Sequence, residues 1–124
     1  MKIEAKTTEG IQEQIPAIGY AEYKNVAGAI TIATTLAPKT AWQIESIRVH
    51  LSAAGGAGDL TATIDHHNGS EYDVVLLTQD MTTTVDLVWS PARPMEFHKD
   101  DKLVIAWANA GGKTYGLEIV WKRI

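Results

Sequence analysis

The stretch IDHHNGSEYDVVLL, from Ile64 to Leu77, gathers residue types that bind metal ions and transfer protons. It holds two adjacent histidines between acidic residues, and imidazole and carboxylate groups are common ligands of divalent ions. It also holds Asn68-Gly69-Ser70, which matches the acceptor sequence for N-linked glycans. The stretch therefore raises three interpretations: a metal site, a glycan acceptor or a turn between two strands.

Strand periodicity argues against the metal site, because successive side chains of a strand point to opposite faces. The preceding segment DLTATID alternates apolar and polar residues, which places His66 at the end of the inward face and His67 in solvent. The chain's other histidines, His50 and His98, lie in separate segments. We therefore predict no metal ligands and no cofactor.

The turn interpretation accounts for the same residues. Asn-Gly is the strongest two-residue hairpin signal, because both positions can adopt positive φ. We predict that Asn68 and Gly69 join the strand TATIDHH to the strand SEYDVVLL. The N-terminal residues MKIEAKTTEGIQEQIP lack the apolar core of a secretory signal, which argues against a glycan. The second strand is apolar on both sides at its centre, so we expect it to be buried on both faces or to end in a tight corner.

Other catalytic signatures are missing from the sequence. There is no cysteine and no Gly-x-Ser-x-Gly motif, so no nucleophile is marked. Asp100 and Asp101 are adjacent carboxylates, but such residues in a polar turn usually accept backbone hydrogen bonds. The glycine clusters GGAG and AGG do not connect a strand to a helix, as phosphate-binding loops do. We predict a non-enzymatic protein with no catalytic or cofactor-binding residues.

Length and charge limit the remaining functions. The 124 residues are enough for one domain with a hydrophobic core. The net charge is -4 and no basic patch is present, so we predict no nucleic-acid partner. No apolar run approaches the roughly 20 residues of a membrane span, so we predict no membrane partner. We predict one domain over residues 1–124, with an extended arm at 1–20 and a β-sandwich at 28–124.

The spacing of turn residues predicts an all-β fold. Threonine, valine and isoleucine are frequent, and turn residues recur about every ten positions, as in antiparallel sandwiches. About eight strands and no helix are expected. Several connections are too long for hairpins, so we predict a two-sheet antiparallel jelly-roll-like sandwich. An immunoglobulin-like sandwich is the alternative, although its Cys-Trp-Cys pattern is missing.

Local patterns add two expectations about the strands. In KTAWQIESIRVHLSAA the apolar positions change from even to odd numbers, which predicts a β-bulge near Glu45 and Ser46. Pro91 and Pro94 favour an edge or crossing segment, because proline cannot donate a hydrogen bond to a sheet.

Four tryptophans are a large aromatic content for a small sandwich. Most of them share the parity of their strands' apolar residues, so we predict that they pack in the core. Tryptophans exposed in a row would instead allow sugar stacking, which motivates a carbohydrate-binding alternative. The residues concerned are Trp42, Trp89, Trp107 and Trp121.

The order of segments from Ala29 to Lys122 resembles that of small β-sandwich structural proteins encoded among the virion genes of tailed bacteriophages. The resemblance lies in the segments IRVHLSAA, YDVVLL, LVWSP, LVIAWAN and TYGLEI, taken in that order. None of these segments is a catalytic motif. The resemblance therefore carries over no active-site residues.

The proteins resembled are of the capsid decoration, or cement, type. The resemblance implies a jelly-roll-like subunit, often trimeric, that binds the outer surface of the major capsid protein lattice and stabilises the head. It implies location on the virion after assembly in the host cytoplasm, with the major capsid protein and other copies of itself as partners. A tail, head–tail joining or fibre component, or a carbohydrate-binding module, is the alternative.

The polar N-terminal arm could order on binding and clamp a neighbouring subunit. Apolar and aromatic residues in and just after the arm are the expected contacts with other protein chains. These predicted interaction residues are Ile3, Ile11, Ile15, Pro16, Tyr20 and Tyr23.

Overall fold

The computed structural model describes residues 20–124, which form nine β-strands and one short 3-10 helix. No helix in this part of the chain is long and apolar enough to cross a membrane. The strands are β1 (Ala21–Gly28), β2 (Ile32–Leu36), β3 (Trp42–Leu51), β4 (Asp59–Asp65), β5 (Val74–Asp80), β6 (Asp86–Trp89), β7 (Glu96–Phe97), β8 (Lys102–Trp107) and β9 (Tyr115–Arg123), and the 3-10 helix is Ser70–Tyr72.

The strands form two antiparallel sheets that pack against each other. The five-stranded sheet has the order β1-β9-β3-β6, with β7 also pairing with β3, and the four-stranded sheet has the order β2-β8-β4-β5. Strands β6 and β7 pair with different parts of β3, so together they occupy one edge position. Eight strand positions in two such sheets make a jelly roll, which confirms the predicted fold. The sandwich begins at Ala21, earlier than the predicted start at residue 28.

Alternating burial along the strands builds one core between the sheets. Strand β2, for example, buries every second residue and exposes the ones between. Trp42, Trp107 and Trp121 are buried, and Trp89 is half-buried against the same core. The predicted core role of the tryptophans is confirmed, and the exposed row that motivated the carbohydrate-binding alternative is not formed.

The predicted bulge in β3 is confirmed. Its register against β9 shifts between Ile44 and Ser46, so Ile44 and Ile47 both face the core although their parity differs. The shift leaves Ser46 buried with no hydrogen-bond partner for its hydroxyl. Pro91 and Pro94 lie between β6 and β7 at the sheet edge, as their chemistry predicts.

Strand β5 is not buried on both faces, so that alternative was wrong; the strand instead ends in a turn at residues 81–84 that leads to β6 in the other sheet. It is the edge of the four-stranded sheet, and Val74 and Val75 are 54% and 56% exposed. The register against β4 shifts, because Leu77 pairs with Ala62 and Val75 pairs with the next residue, Thr63. Leu76 is therefore the extra residue of a bulge. The consecutive apolar residues therefore reflect a bulged edge strand, with Leu76 and Leu77 only half-buried.

Candidate functional site

The chain between β4 and β5 is longer than the predicted two-residue turn. The two strands pair as predicted, but residues 66–73 connect them and include the 3-10 helix. Gly69 has a φ of 123°, whereas Asn68 does not have positive φ, so the expected Asn-Gly turn is not formed. The carboxylate of Asp73 accepts a hydrogen bond from the backbone N–H of His66 at 2.8 Å, which anchors the start of this longer loop.

The two adjacent histidines both follow the end of β4, so strand parity does not separate them. The rings of His66 and His67 stack with centroids 4.4 Å apart and an interplanar angle of 25°. The other face of the His67 ring stacks on His98 at 4.0 Å and 18°. We call these three residues the imidazole column. The prediction that His66 and His67 point to opposite faces of a strand was wrong, because strand β4 ends at Asp65.

Asp101 joins the two loops that carry the imidazole column. One carboxylate oxygen accepts hydrogen bonds from the backbone N–H of His67 at 3.0 Å and from its ring Nδ1 at 2.7 Å. The other oxygen accepts from the backbone N–H of His98 at 2.9 Å. Asp101 is 3% exposed, so these bonds are shielded from water. Its predicted role as a turn residue that accepts backbone hydrogen bonds is confirmed.

The surroundings of Asp101 act on its pKa in opposite directions. Burial tends to raise the pKa of this carboxyl by disfavouring the charged form. The hydrogen bonds from the His67 ring and from the backbone N–H groups of His67 and His98, together with the nearby His66, outweigh burial. The pKa of Asp101 is therefore below its usual value, and its carboxylate is ionised at neutral pH.

The hydrogen bonds also define the protonation of each ring. A carboxylate only accepts hydrogen bonds, so Nδ1 of His67 carries a proton and Nε2 of the neutral ring keeps a free lone pair. In contrast, Nδ1 of His66 accepts from the N–H of Asn68, and Nδ1 of His98 accepts from the N–H of Asp100, both at 3.1 Å. His67 is thus the ring whose Nε2 can present a lone pair to an ion.

A polar pocket of about 450 Å³ adjoins the column on the side of His67. It contains both charge signs, so it is not a simple anion or cation site. Its lining residues are Ala37, Lys39, His67, Lys99, Asp100, Asp101 and Lys102.

A second concave region lies on the outer face of the five-stranded sheet and has a volume of about 490 Å³. Gly116, which has open space where a Cβ would lie, forms part of its lining. His50 and Asp86 face each other across paired strands there, with Nδ1 and Oδ1 2.5 Å apart. The region is lined by both charged and apolar residues, and Val88 in its lining is 72% exposed.

Both histidine–aspartate pairs lack the nucleophile that would make a catalytic triad. Within residues 20–124, no serine or threonine hydroxyl hydrogen-bonds to a histidine ring. The pairs therefore have a base and an orienting carboxylate without the group that attacks a substrate.

The predicted interaction residues divide into two groups. Tyr20 and Tyr23 are 73% and 60% exposed, and Tyr23 lies on β1 at the edge of the five-stranded sheet. Val26, on the opposite side of β1, packs against the core, so Tyr23 faces away from the sandwich. The other four predicted residues, Ile3, Ile11, Ile15 and Pro16, lie outside the residues that the structure describes.

Sequence reasoning missed the meeting of His67 and His98. Asp65 at the end of β4 pairs with Lys102 at the start of β8, so the loops beyond these residues lie at the same end of the sheet. The segments HHN and HKD share a histidine followed two positions later by Asn or Asp. That repeated pattern could have indicated that the two loops are related. To infer a contact from it, however, one must know that β4 and β8 are adjacent strands.

The chain matches no known family model and no curated protein. Among solved structures it is similar to a chain of the tomato aspermy virus structure determined by X-ray crystallography. The two chains share 7% sequence identity with a TM-score of 0.35, over 100% of this chain and 96% of that chain. A likeness at this level carries no argument about the function of this chain.

Proposed function

We propose that the protein is a non-enzymatic structural component of a tailed-phage virion, of the capsid decoration type. It binds the outer surface of the major capsid protein lattice and stabilises the head. The order of its segments resembles that of such proteins from Ala29 to Lys122, and the jelly-roll fold agrees with that resemblance. The observation that carries the proposal is the exposed aromatic edge at β1.

Strand β1 has the features of a protein-binding edge. All its residues from Ala21 to Gly28 pair in register with β9 on one side, with no bulge. Within the described residues no strand pairs with its other side. Tyr20 and Tyr23 add exposed aromatic surface, and tyrosine is enriched in protein interfaces. An open strand edge beside exposed tyrosines can bind an extended segment of another chain.

Of the three other edges, strand β2 pairs with β8 without a bulge, but it has five residues against the eight of β1 and none of them is aromatic. The remaining two edges are interrupted. The edge opposite β1 is divided between two short strands, with Pro91 and Pro94 between them. Strand β5 is interrupted by the bulge at Leu76. Bulges and prolines are common devices that prevent pairing with another chain. The contrast favours β1 as the edge that meets a partner.

The N-terminal arm and the trimer belong to the same proposal. Residues 1–20 would contribute contacts next to β1, since the chain enters the sandwich there. A symmetric trimer would hold several such edges against a symmetric lattice, and several weak contacts would combine into strong binding.

The test is binding of purified protein to expanded capsids that lack it. We expect co-sedimentation with the capsids and a rise in the temperature at which they disassemble. Replacing Tyr20 and Tyr23 together by threonine should weaken binding by at least about tenfold, because exposed aromatic side chains are common sources of binding energy. Threonine retains a preference for strands, so the fold should persist.

A matched control uses Val74 and Val75, which are also exposed but lie at the edge of the other sheet. Replacing both by threonine should leave capsid binding unchanged. Absence of any binding to expanded capsids would exclude the decoration role. Electron microscopy of virions carrying labelled protein then distinguishes the head surface from a tail, joining or fibre position.

A further inference from the structure

The imidazole column is not required for the proposed capsid role, and its chemistry points elsewhere. Ligand atoms of His66, His67 and Asp101 lie within 4.8 Å of one another. We propose that His66 and His67 bind one divalent transition-metal ion of the zinc or nickel class, with Asp101 holding His67 in place. Water molecules complete the coordination.

His67 is the principal ligand. Asp101 accepts the proton of its Nδ1 at 2.7 Å, so the lone pair of Nε2 is free to coordinate. A carboxylate that holds the far nitrogen of a histidine is the usual support of metal-binding imidazoles, because it fixes the ring and makes it a better donor. Stacking on His98 covers the other face of the ring and limits its rotation further.

His66 is the second ligand. Its ring lies 4.4 Å from that of His67, on the face opposite His98. Its Nδ1 accepts from the N–H of Asn68 at 3.1 Å, and its ring also packs on Tyr72 with centroids 5.6 Å apart. To present a lone pair to an ion at His67, the ring must turn out of the stacked arrangement and exchange these contacts for the ion. Two imidazoles suit zinc, copper and nickel and are poor ligands for magnesium or calcium.

Asp101 acts in the outer coordination sphere. Both of its oxygens already accept hydrogen bonds, one from the backbone and ring of His67 and the other from the backbone of His98. These three bonds use three of the roughly four acceptor sites of a carboxylate, and they join the two loops. Its contribution is thus to position His67, whereas the metal contacts His66 and His67.

The charges around the column permit a cation. Three lysines line the adjoining pocket, and all are exposed, so their ammonium groups can remain in solvent. Five carboxylates lie in or beside the same two loops and outnumber these lysines. The lysines are Lys39, Lys99 and Lys102, and the carboxylates are Asp65, Glu71, Asp73, Asp100 and Asp101.

Titration calorimetry of the full chain with zinc chloride, repeated with nickel chloride, tests the site. We expect one ion per chain and a higher unfolding temperature in the presence of the ion, because a ligand that binds the folded state stabilises it. His67→Ala should abolish binding. Asp101→Asn retains the shape of the side chain and should weaken binding by about 10–100-fold.

His66→Ala tests the site in a variant that should remain folded, because it leaves the hydrogen bond between His67 and Asp101 intact. It should weaken binding at least about tenfold, since it removes one of the two protein ligands. His50→Ala is the matched control, because His50 also pairs with an aspartate but lies on the outer face of the other sheet. The affinity of the His50→Ala variant for the ion should equal that of the unchanged protein.

Three results would overturn the proposal: no bound ion, affinity unchanged in His66→Ala, or affinity lost in His50→Ala. An unchanged affinity in Asp101→Asn would overturn the positioning role of Asp101. These measurements use the isolated protein and no capsids. Failure of the metal site and failure of the capsid role are therefore separate outcomes.

Discussion

Two histidine–aspartate pairs in this molecule share the same contact and differ in almost everything around it. His50 and Asp86 lie on paired strands with their Nδ1 and Oδ1 atoms 2.5 Å apart, and their side chains are 71% and 68% exposed. His67 and Asp101 lie on two loops at 2.7 Å, with side chains 26% and 4% exposed. The first pair lies on the surface of a sheet whose strands are already joined by backbone hydrogen bonds, and the second pair connects two loops.

The difference shows that a short contact does not by itself measure an interaction. Water competes for both members of the exposed pair, so the net free energy of that contact is small. Asp101 instead meets backbone N–H groups of both loops as well as a ring, and little water reaches it. Removing such an acceptor leaves several donors without partners, which costs more than the lost contact itself.

The largest expected effect is therefore on folding stability after loss of the buried carboxylate. We expect Asp101→Ala to lower the free energy of unfolding by about 3 kcal/mol, because two backbone N–H groups and one ring lose a charged acceptor. Asp86→Ala, the matched change in the exposed pair, should lower it by less than about 1 kcal/mol. Urea unfolding followed by tryptophan fluorescence measures both. Equal losses in the two variants would contradict the comparison.

The strand-based part of the molecule was largely predictable from sequence. The side chain of His50 follows the odd–even alternation of β3 and points outward, and the bulge was visible because Ile44 and Ile47 differ in parity. A period of two is a local property of the chain, so sequence alone reveals it. The jelly-roll architecture followed from the same local patterns and the spacing of turns.

The loop-based pair was not predictable in the same way. The positions of His67 and Asp101 depend on the pairing of Asp65 with Lys102, which are distant in sequence. Periodicity ends where the strand ends, and here β4 ended before the histidines. The same limit explains the error at β5, where only the sheet order shows that Val74 and Val75 lie on an edge.

Lowering the pH should reveal how much the carboxyl of Asp101 contributes to the stability of the fold. Its pKa is lower in the folded chain than its usual value, so its contribution to stability is complete above that usual value and is lost as pH falls through the folded pKa. We expect the urea midpoint to fall more between about pH 5 and about pH 2 in the unchanged protein than in Asp101→Asn. Asparagine does not titrate, so the difference between the two proteins isolates this carboxyl. Parallel declines would show that Asp101 contributes nothing to acid unfolding.

The smallest change in the free energy of unfolding is expected for a substitution of His50. The contrast between the two histidine–aspartate pairs requires that this change be small. His50→Thr removes the ring that meets Asp86 but keeps a residue that favours strands, so the free energy of unfolding should change by less than about 0.5 kcal/mol. His67→Thr removes the ring bond to Asp101 together with two stacking contacts, and should cost about 1–2 kcal/mol. Both are single histidines paired with an aspartate, so the urea midpoints of the two variants compare like with like. A loss at His50 as large as that at His67 would mean that the exposed strand pair contributes as much to stability as the loop junction, which would contradict the comparison.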